Sequence, residues 1–126
     1  MFSSLTPMLS TGNVQATIDF YINTLGFVLD NSLRDEEGIV SWASLRNGEA
    51  VIMFRLLNAH MDEQTPALTG SLYFRTGNVT QLWERLKDST DVVYPLADFD
   101  YNMREFAIRD CNGYVLNFGQ PLADDV

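Results

Sequence analysis

Only two side chains in this 126-residue chain are of the types that titrate readily near neutral pH, and each occurs once: His60 and Cys111. A single cysteine forms no internal disulfide and no multi-cysteine metal site. No histidine lies near Cys111 in sequence to activate it as a nucleophile, and its place in Asp110-Cys111-Asn112-Gly113 reads as an unreactive, partly exposed turn thiol. His60 sits among Asn58, Asp62, Glu63, Gln64 and Pro66, and a metal there would need at least two more strong ligands. It reads as a linker histidine. The remaining chemistry belongs to charged groups, 17 Asp and Glu against eight Lys and Arg, for a net charge of -9. That balance repels phosphates, and the basic residues are scattered, so nucleic acid is excluded as a partner. A solvated acidic surface is the plain reading of the excess, and a cationic ligand the pointed one.

The elements that must position such groups announce themselves by repetition. Thr11-Gly12-Asn13-Val14 returns as Thr76-Gly77-Asn78-Val79, 65 positions on, and Asn47-Gly48 returns as Asn112-Gly113 at the same offset. Two signals that share one spacing indicate a duplicated unit of strand, helix and three strands. At 126 residues with 46% apolar and 20% charged residues, the two units form one soluble globular domain. No apolar stretch approaches membrane-spanning length, and Met1 to Pro7 lacks the basic and apolar regions of a signal peptide, which gives the expectation of a cytoplasmic protein with no membrane partner.

In order, residues 5–10 read as a first strand with Pro7 confining it to an edge, and Asn13 as the cap of a helix whose Val14, Ile18, Tyr21, Ile22 and Leu25 form one stripe ended by Gly26. Phe27 to Leu33, Ile39 to Leu45 and Ala50 to Leu57 are three strands, the last two joined at Asn47-Gly48 by a type I′ turn. The first unit thus spans 5–57, a linker 58–69, and the second unit 70–121. There Ser71 to Thr76 is a strand and Asn78 caps a helix with Val79, Leu82, Trp83 and Leu86 on one face. Val92 to Tyr94 is a strand cut short by Pro95, Ala97 to Asn102 a loop, and Met103 to Arg109 with Tyr114 to Phe118 a final hairpin.

Asp19-Phe20-Tyr21 with Leu25-Gly26-Phe27, Tyr101-Asn102-Met103-Arg104-Glu105-Phe106, and Asp110-Cys111-Asn112-Gly113-Tyr114 with Asn117-Phe118-Gly119 give the sequence its resemblance. It resembles the vicinal oxygen chelate superfamily, which includes glyoxalase I, extradiol dioxygenases, fosfomycin-resistance enzymes and bleomycin-resistance proteins. The likeness covers roughly residues 5–121. It implies an α+β fold in which two tandem βαβββ modules build a curved, cup-shaped mixed sheet. Cys111 stands where the family usually has proline, and Asn102 where it often has glycine, asparagine being the next most tolerant residue of a left-handed backbone.

The resemblance also implies where a metal would sit, on the first, fourth, fifth and eighth strands. Those positions hold Thr6, Met53, Ser71 and Asn117. Hydroxyl, thioether and amide groups do not offset the lost water shell of a divalent cation, so no metal and no cofactor is expected. If Asn117 and Met53 point into the cup, strand alternation adds Trp42, Ser44, Tyr73, Arg75 and Glu105 beside Ser71, and leaves Phe106 and Ile108 for the helices. Trp42, Tyr73 and Met53 are then apolar walls, and Ser44, Ser71, Arg75, Glu105 and Asn117 sparse polar contacts. Arg75 and Glu105 either pair with each other or anchor a carboxylate and a cationic group respectively. Closest in pattern is the metal-free bleomycin-resistance branch. That implies a bacterial homodimer sequestering a planar or cationic small molecule, with Glu105, Asp98 or Asp100 drawing positive charge, and, as an extension, antibiotic resistance. A metal-dependent lyase, isomerase or dioxygenase of the same superfamily is the alternative.

Overall fold

The computed structural model describes residues 1–58 and 63–123, so His60 lies outside the described residues. The chain forms two compact units, Met1–Ala67 and Leu68–Val126. The first contains β1 (Met8–Thr11), α1 (Val14–Asn23), β2 (Val28–Arg34), β3 (Val40–Asn47) and β4 (Ala50–Leu56). The second contains β5 (Leu72–Arg75), α2 (Val79–Leu86), β6 (Asp91–Phe99), β7 (Met103–Arg109) and β8 (Val115–Pro121). Each unit is one helix on a four-stranded mixed sheet, ordered β1-β4-β3-β2 and β5-β8-β7-β6, whose first and last strands in sequence run parallel. This is the α+β fold of two tandem βαβββ modules.

The apolar stripes bury where their spacing demands. In the first unit Tyr21, fully buried, packs edge-on to Phe27 and tilted on Phe54, with ring centroids 5.3 and 5.0 Å away. In the second, Trp83 of α2 leans on Phe106 at 5.2 Å, and Phe106 and Phe74 stack on Phe118. Burying such rings contributes about 1.5–3 kcal/mol each relative to exposure, and ring geometry adds about a further 0.5–1.5 kcal/mol per pair.

Four local expectations are corrected. The first strand begins at Met8 rather than at residue 5, after Pro7, whose carbonyl accepts from the Met53 N–H. The β3–β4 turn is Gly48-Glu49, because Asn47 still pairs with Ala50. Gly48 at φ +59° takes the first central position, as in a type II′ turn, while the Asn47 amide ties down the Leu25 carbonyl. Pro95 does not end β6: the strand runs on to Phe99 along the sheet edge, where a missing N–H costs no ladder bond, and register shifts between Val92 and Tyr94 and between Tyr94 and Ala97 absorb the irregularity. Asn78 makes no capping bond to α2. Its Oδ1 accepts from the Thr76 hydroxyl, and the Val79 N–H donates instead to Gln120 Oε1 from β8. Asn13 does cap α1, accepting from the Ala16 N–H at 2.9 Å, and Asn102 does adopt the left-handed backbone, at φ +66°.

Candidate functional site

Register decides which side chains share the sheet face turned away from each helix. In the first unit Met8 lies opposite Met53, Met53 opposite Ser44, and Trp42 opposite Arg55, so these five share that face. In the second, Tyr73 lies opposite Asn117, Asn117 opposite Ala107, Arg75 opposite Gly119, and Gly119 opposite Glu105. The sequence-derived residues therefore fall into two groups: Trp42, Ser44 and Met53 in one unit, Tyr73, Arg75, Glu105 and Asn117 in the other. Ser71 precedes β5 and is exposed.

Glu105 organises the second face. It is 2% exposed, and its carboxylate accepts from the Tyr73 hydroxyl at 2.8 Å and from the Tyr94 hydroxyl. A third phenol, Tyr101, acts on the same carboxylate electrostatically. Burial pushes the Glu105 pKa up, but Tyr94, Tyr101 and Tyr73 together outweigh it and hold the carboxyl below its ordinary value. The phenols move the other way. Burial and then the bond to Glu105 raise Tyr73 and Tyr94, and the interaction with Glu105 carries Tyr101 up to about 12. At neutral pH the cluster is one fixed carboxylate under three protonated phenols.

Two backbone features bring the phenols in. Ile108 pairs with Val92 on the helix side, yet the next β7 residue back, Ala107, pairs with Tyr94. The one-residue bulge at Val93 thus turns Tyr94 to the Glu105 face. Gly119 lets Tyr73 cross β8: a Cβ there would lie 2.0 Å from the Tyr73 hydroxyl oxygen and 2.7 Å from its Cζ. Since the single Tyr94 proton goes to Glu105, its oxygen accepts from Asn117 Nδ2 at 2.7 Å. That fixes the amide orientation and leaves Asn117 Oδ1 a buried acceptor without a partner.

Above this network lies an open cavity of about 370 Å³ lined by Tyr73, Arg75, Tyr101 and Met103. Tyr73 and Tyr101 are 45% and 56% exposed, and since the Tyr73 hydroxyl is tied inward to Glu105 it is its ring that meets solvent. Of the two arrangements open to Arg75 and Glu105, the mutual pair does not form, and phenols hold both oxygens of the carboxylate. Asp98 is likewise committed, to Arg104 at 2.7 Å. Sequence reasoning missed Tyr94 and Tyr101. Cys111 is exposed, in a turn that Asp110 organises by accepting from the Asn112 and Tyr114 N–H groups.

The profile of the Glyoxalase/Bleomycin resistance protein/Dioxygenase superfamily matches residues 5–118. The chain belongs to that superfamily. No curated protein matches the sequence significantly. Solved structures share the superfamily fold at low identity. TioX from Micromonospora sp. ML1 is 21% identical, with a TM-score of 0.77 over 96% of this chain and 100% of that one. A glyoxalase-related enzyme from Clostridium phytofermentans is 17% identical, with a TM-score of 0.78 over 97% of each chain. The bleomycin-binding protein of bleomycin-producing Streptomyces verticillus, solved with copper(II)-bleomycin, is 21% identical, with a TM-score of 0.66 over 98% of each.

Superfamily metalloenzymes imply a divalent cation, and the donors here do not fit one. Met53 is a thioether, Asn117 offers one amide oxygen, and Thr6 and Ser71 lie ahead of their strands. Among the described residues no three His, Cys, Asp or Glu side chains converge, and the carboxylate of this face already accepts a phenol on each oxygen. No helix of the described residues is long and apolar enough to cross a membrane.

Proposed function

We propose that this protein is a metal-independent small-molecule-binding protein of the bleomycin-resistance type, working as a homodimer, whose ligand is a planar molecule held in the Tyr73–Arg75–Tyr101–Met103 cavity of the second unit. The observation that carries this reading is the Tyr73 ring presented to a cavity by its own hydroxyl anchor, beside the exposed ring of Tyr101. A ring held in place by a buried carboxylate loses little further freedom when a ligand stacks on it, which is what a binding wall requires. The titration behaviour supports binding over turnover. A general acid or base works best with a pKa near the operating pH, whereas Glu105 is held low and the tyrosines high. The fold alone does not choose, since a glyoxalase-related enzyme and a bleomycin-binding protein share it.

The test uses untagged protein stripped with EDTA. Planar aromatic compounds are screened by thermal shift, and each hit is recovered and weighed by mass spectrometry. The expected result is a rise in melting temperature without added metal and recovery of the compound unchanged. Binding that appears only on adding a divalent metal, or a compound recovered as product, overturns the proposal. Sedimentation velocity on the same sample gives a dimer mass.

A further inference from the structure

Resting on the binding reading above, we infer that the ligand is a planar aromatic carboxylate, its ring stacked on Tyr73 and Tyr101 and its carboxylate held by Arg75. The accessible charge in the cavity decides this. Glu105 would favour a cation, but it is 2% exposed and phenols take both its oxygens, so it meets no ligand. Among the described residues, Arg75 is the only charged side chain lining the cavity.

Arg75 also differs from the other basic residues. In a chain with 17 acidic side chains, Arg46, Arg55, Arg104, Arg109 and Lys87 each pair with a carboxylate, and Arg34 donates to the Gly38 carbonyl. Among the described residues Arg75 has no such partner, and Arg85, which shares that condition, lies on α2 away from the cavity. A guanidinium presents a planar fork of donors that matches a carboxylate with two parallel hydrogen bonds. An open cavity of about 370 Å³ lined by two tyrosine rings suits a single ring that carries such a group.

The probes are benzoate, its neutral isostere benzamide and its cationic isostere benzamidine, each titrated into the full chain and followed by the backbone amide resonances of Tyr73, Arg75, Tyr101 and Met103. Benzoate is expected to shift these resonances saturably with a Kd about tenfold or more below that of benzamide, the worth of one charge-assisted bond. Benzamidine is expected to be weakest. Arg75→Gln should bring benzoate to the affinity of benzamide, while Arg85→Gln, which removes the same charge elsewhere, should leave benzoate unchanged. Arg75 is exposed, so its replacement does not threaten folding. Equal affinities for benzoate and benzamide, tightest binding of benzamidine, or an Arg75→Gln variant that still prefers benzoate would overturn the ligand class and leave the cavity standing as a binding site. Failure of all three probes to move these resonances overturns both.

Discussion

The two sheet faces turned away from the helices are built on one frame and filled with different chemistry. By register Met8 corresponds to Tyr73, Met53 to Asn117, Ser44 to Ala107, Trp42 to Glu105 and Arg55 to Gly119. The first unit places its charge on β4, where Arg55 makes a two-pronged ion pair with Glu63 at 2.7 and 2.8 Å, in a segment beyond the strand. The second buries Glu105 on β7 and satisfies it with phenols from β5 and β6. An ion pair between partly exposed side chains is self-contained and contributes little. A buried carboxylate satisfied by phenols is costly unless every bond is made, and it is sited where three strands must agree. The costlier arrangement of the two therefore lies in the second unit, on the face that carries the proposed site.

The largest effect should come from closing the gap that Tyr73 crosses. Gly119→Ala puts a methyl group 2.0 Å from the Tyr73 hydroxyl oxygen, which drives the ring off Glu105 and leaves the carboxylate short of a donor. Overpacking costs about 1–3 kcal/mol and a lost hydrogen bond about 1 kcal/mol more, so denaturant unfolding should show a loss of about 2–4 kcal/mol. In a Tyr73→Ala background the same substitution should cost much less, because nothing remains to be displaced. Equal costs in the two backgrounds would show that Gly119 does not serve the phenol cluster.

Much of this was legible in the sequence. The offset of 65 between the two Thr-Gly-Asn-Val phrases exposed the duplication, and the helix stripes exposed the core, because these are periodic signals. Alternation along β3, β4, β5, β7 and β8 also gave the faces of Trp42, Met53, Tyr73, Glu105 and Asn117, since a strand has no other choice. What was hidden depends on breaks in period. The bulge at Val93 inverts the parity of β6, so Tyr94 counts as a helix-side residue until the ladder is seen. Tyr101 lies in a turn, and no spacing rule says that it acts on Glu105. Two charges on one face leave a mutual pair and separate ligand contacts equally open for Arg75 and Glu105, and the neutral groups that take the carboxylate are what alternation does not show. Nor does any spacing rule show that Glu63, in the 58–69 stretch, is the counter-charge of Arg55.

A smaller effect separates the faces by pH. The bond from Arg55 and then that from the Asn58 N–H hold Glu63 at about 2, below its ordinary 4.5. A carboxylate depressed in the folded state stabilises above its unfolded pKa and loses that contribution as pH falls through the folded value. The stability contributed by this pair should therefore be intact above about pH 4.5 and fade toward pH 2. Glu63→Gln should remove that acid-side slope from a series of denaturation curves, while a slope from Glu105, whose pKa is also depressed, remains. An unchanged slope would mean that the Arg55–Glu63 contact is not maintained in solution.

The smallest difference lies at the helix starts, where identical phrases do unlike work. Position 17, paired with 82 by the offset of 65, is Thr17 in one unit and Leu82 in the other. The Thr17 hydroxyl donates to the Asn13 carbonyl and lies 3.1 Å from the Thr11 hydroxyl, which keeps Thr11 occupied and frees the Asn13 side chain to cap Ala16. With leucine at 82 that partner is gone. Thr76 turns its hydroxyl to Asn78 Oδ1 at 2.6 Å, and Gln120 takes over the exposed end of α2. Asn13→Ala should therefore cost about 1 kcal/mol in chemical denaturation and Asn78→Ala within about 0.5 kcal/mol, while Gln120→Ala should match Asn13→Ala, because the capping acceptor has passed from the loop to β8. Matching costs for Asn13→Ala and Asn78→Ala would mean that the second helix is capped as the first is, and that the leucine at 82 has not changed the job of the repeated phrase.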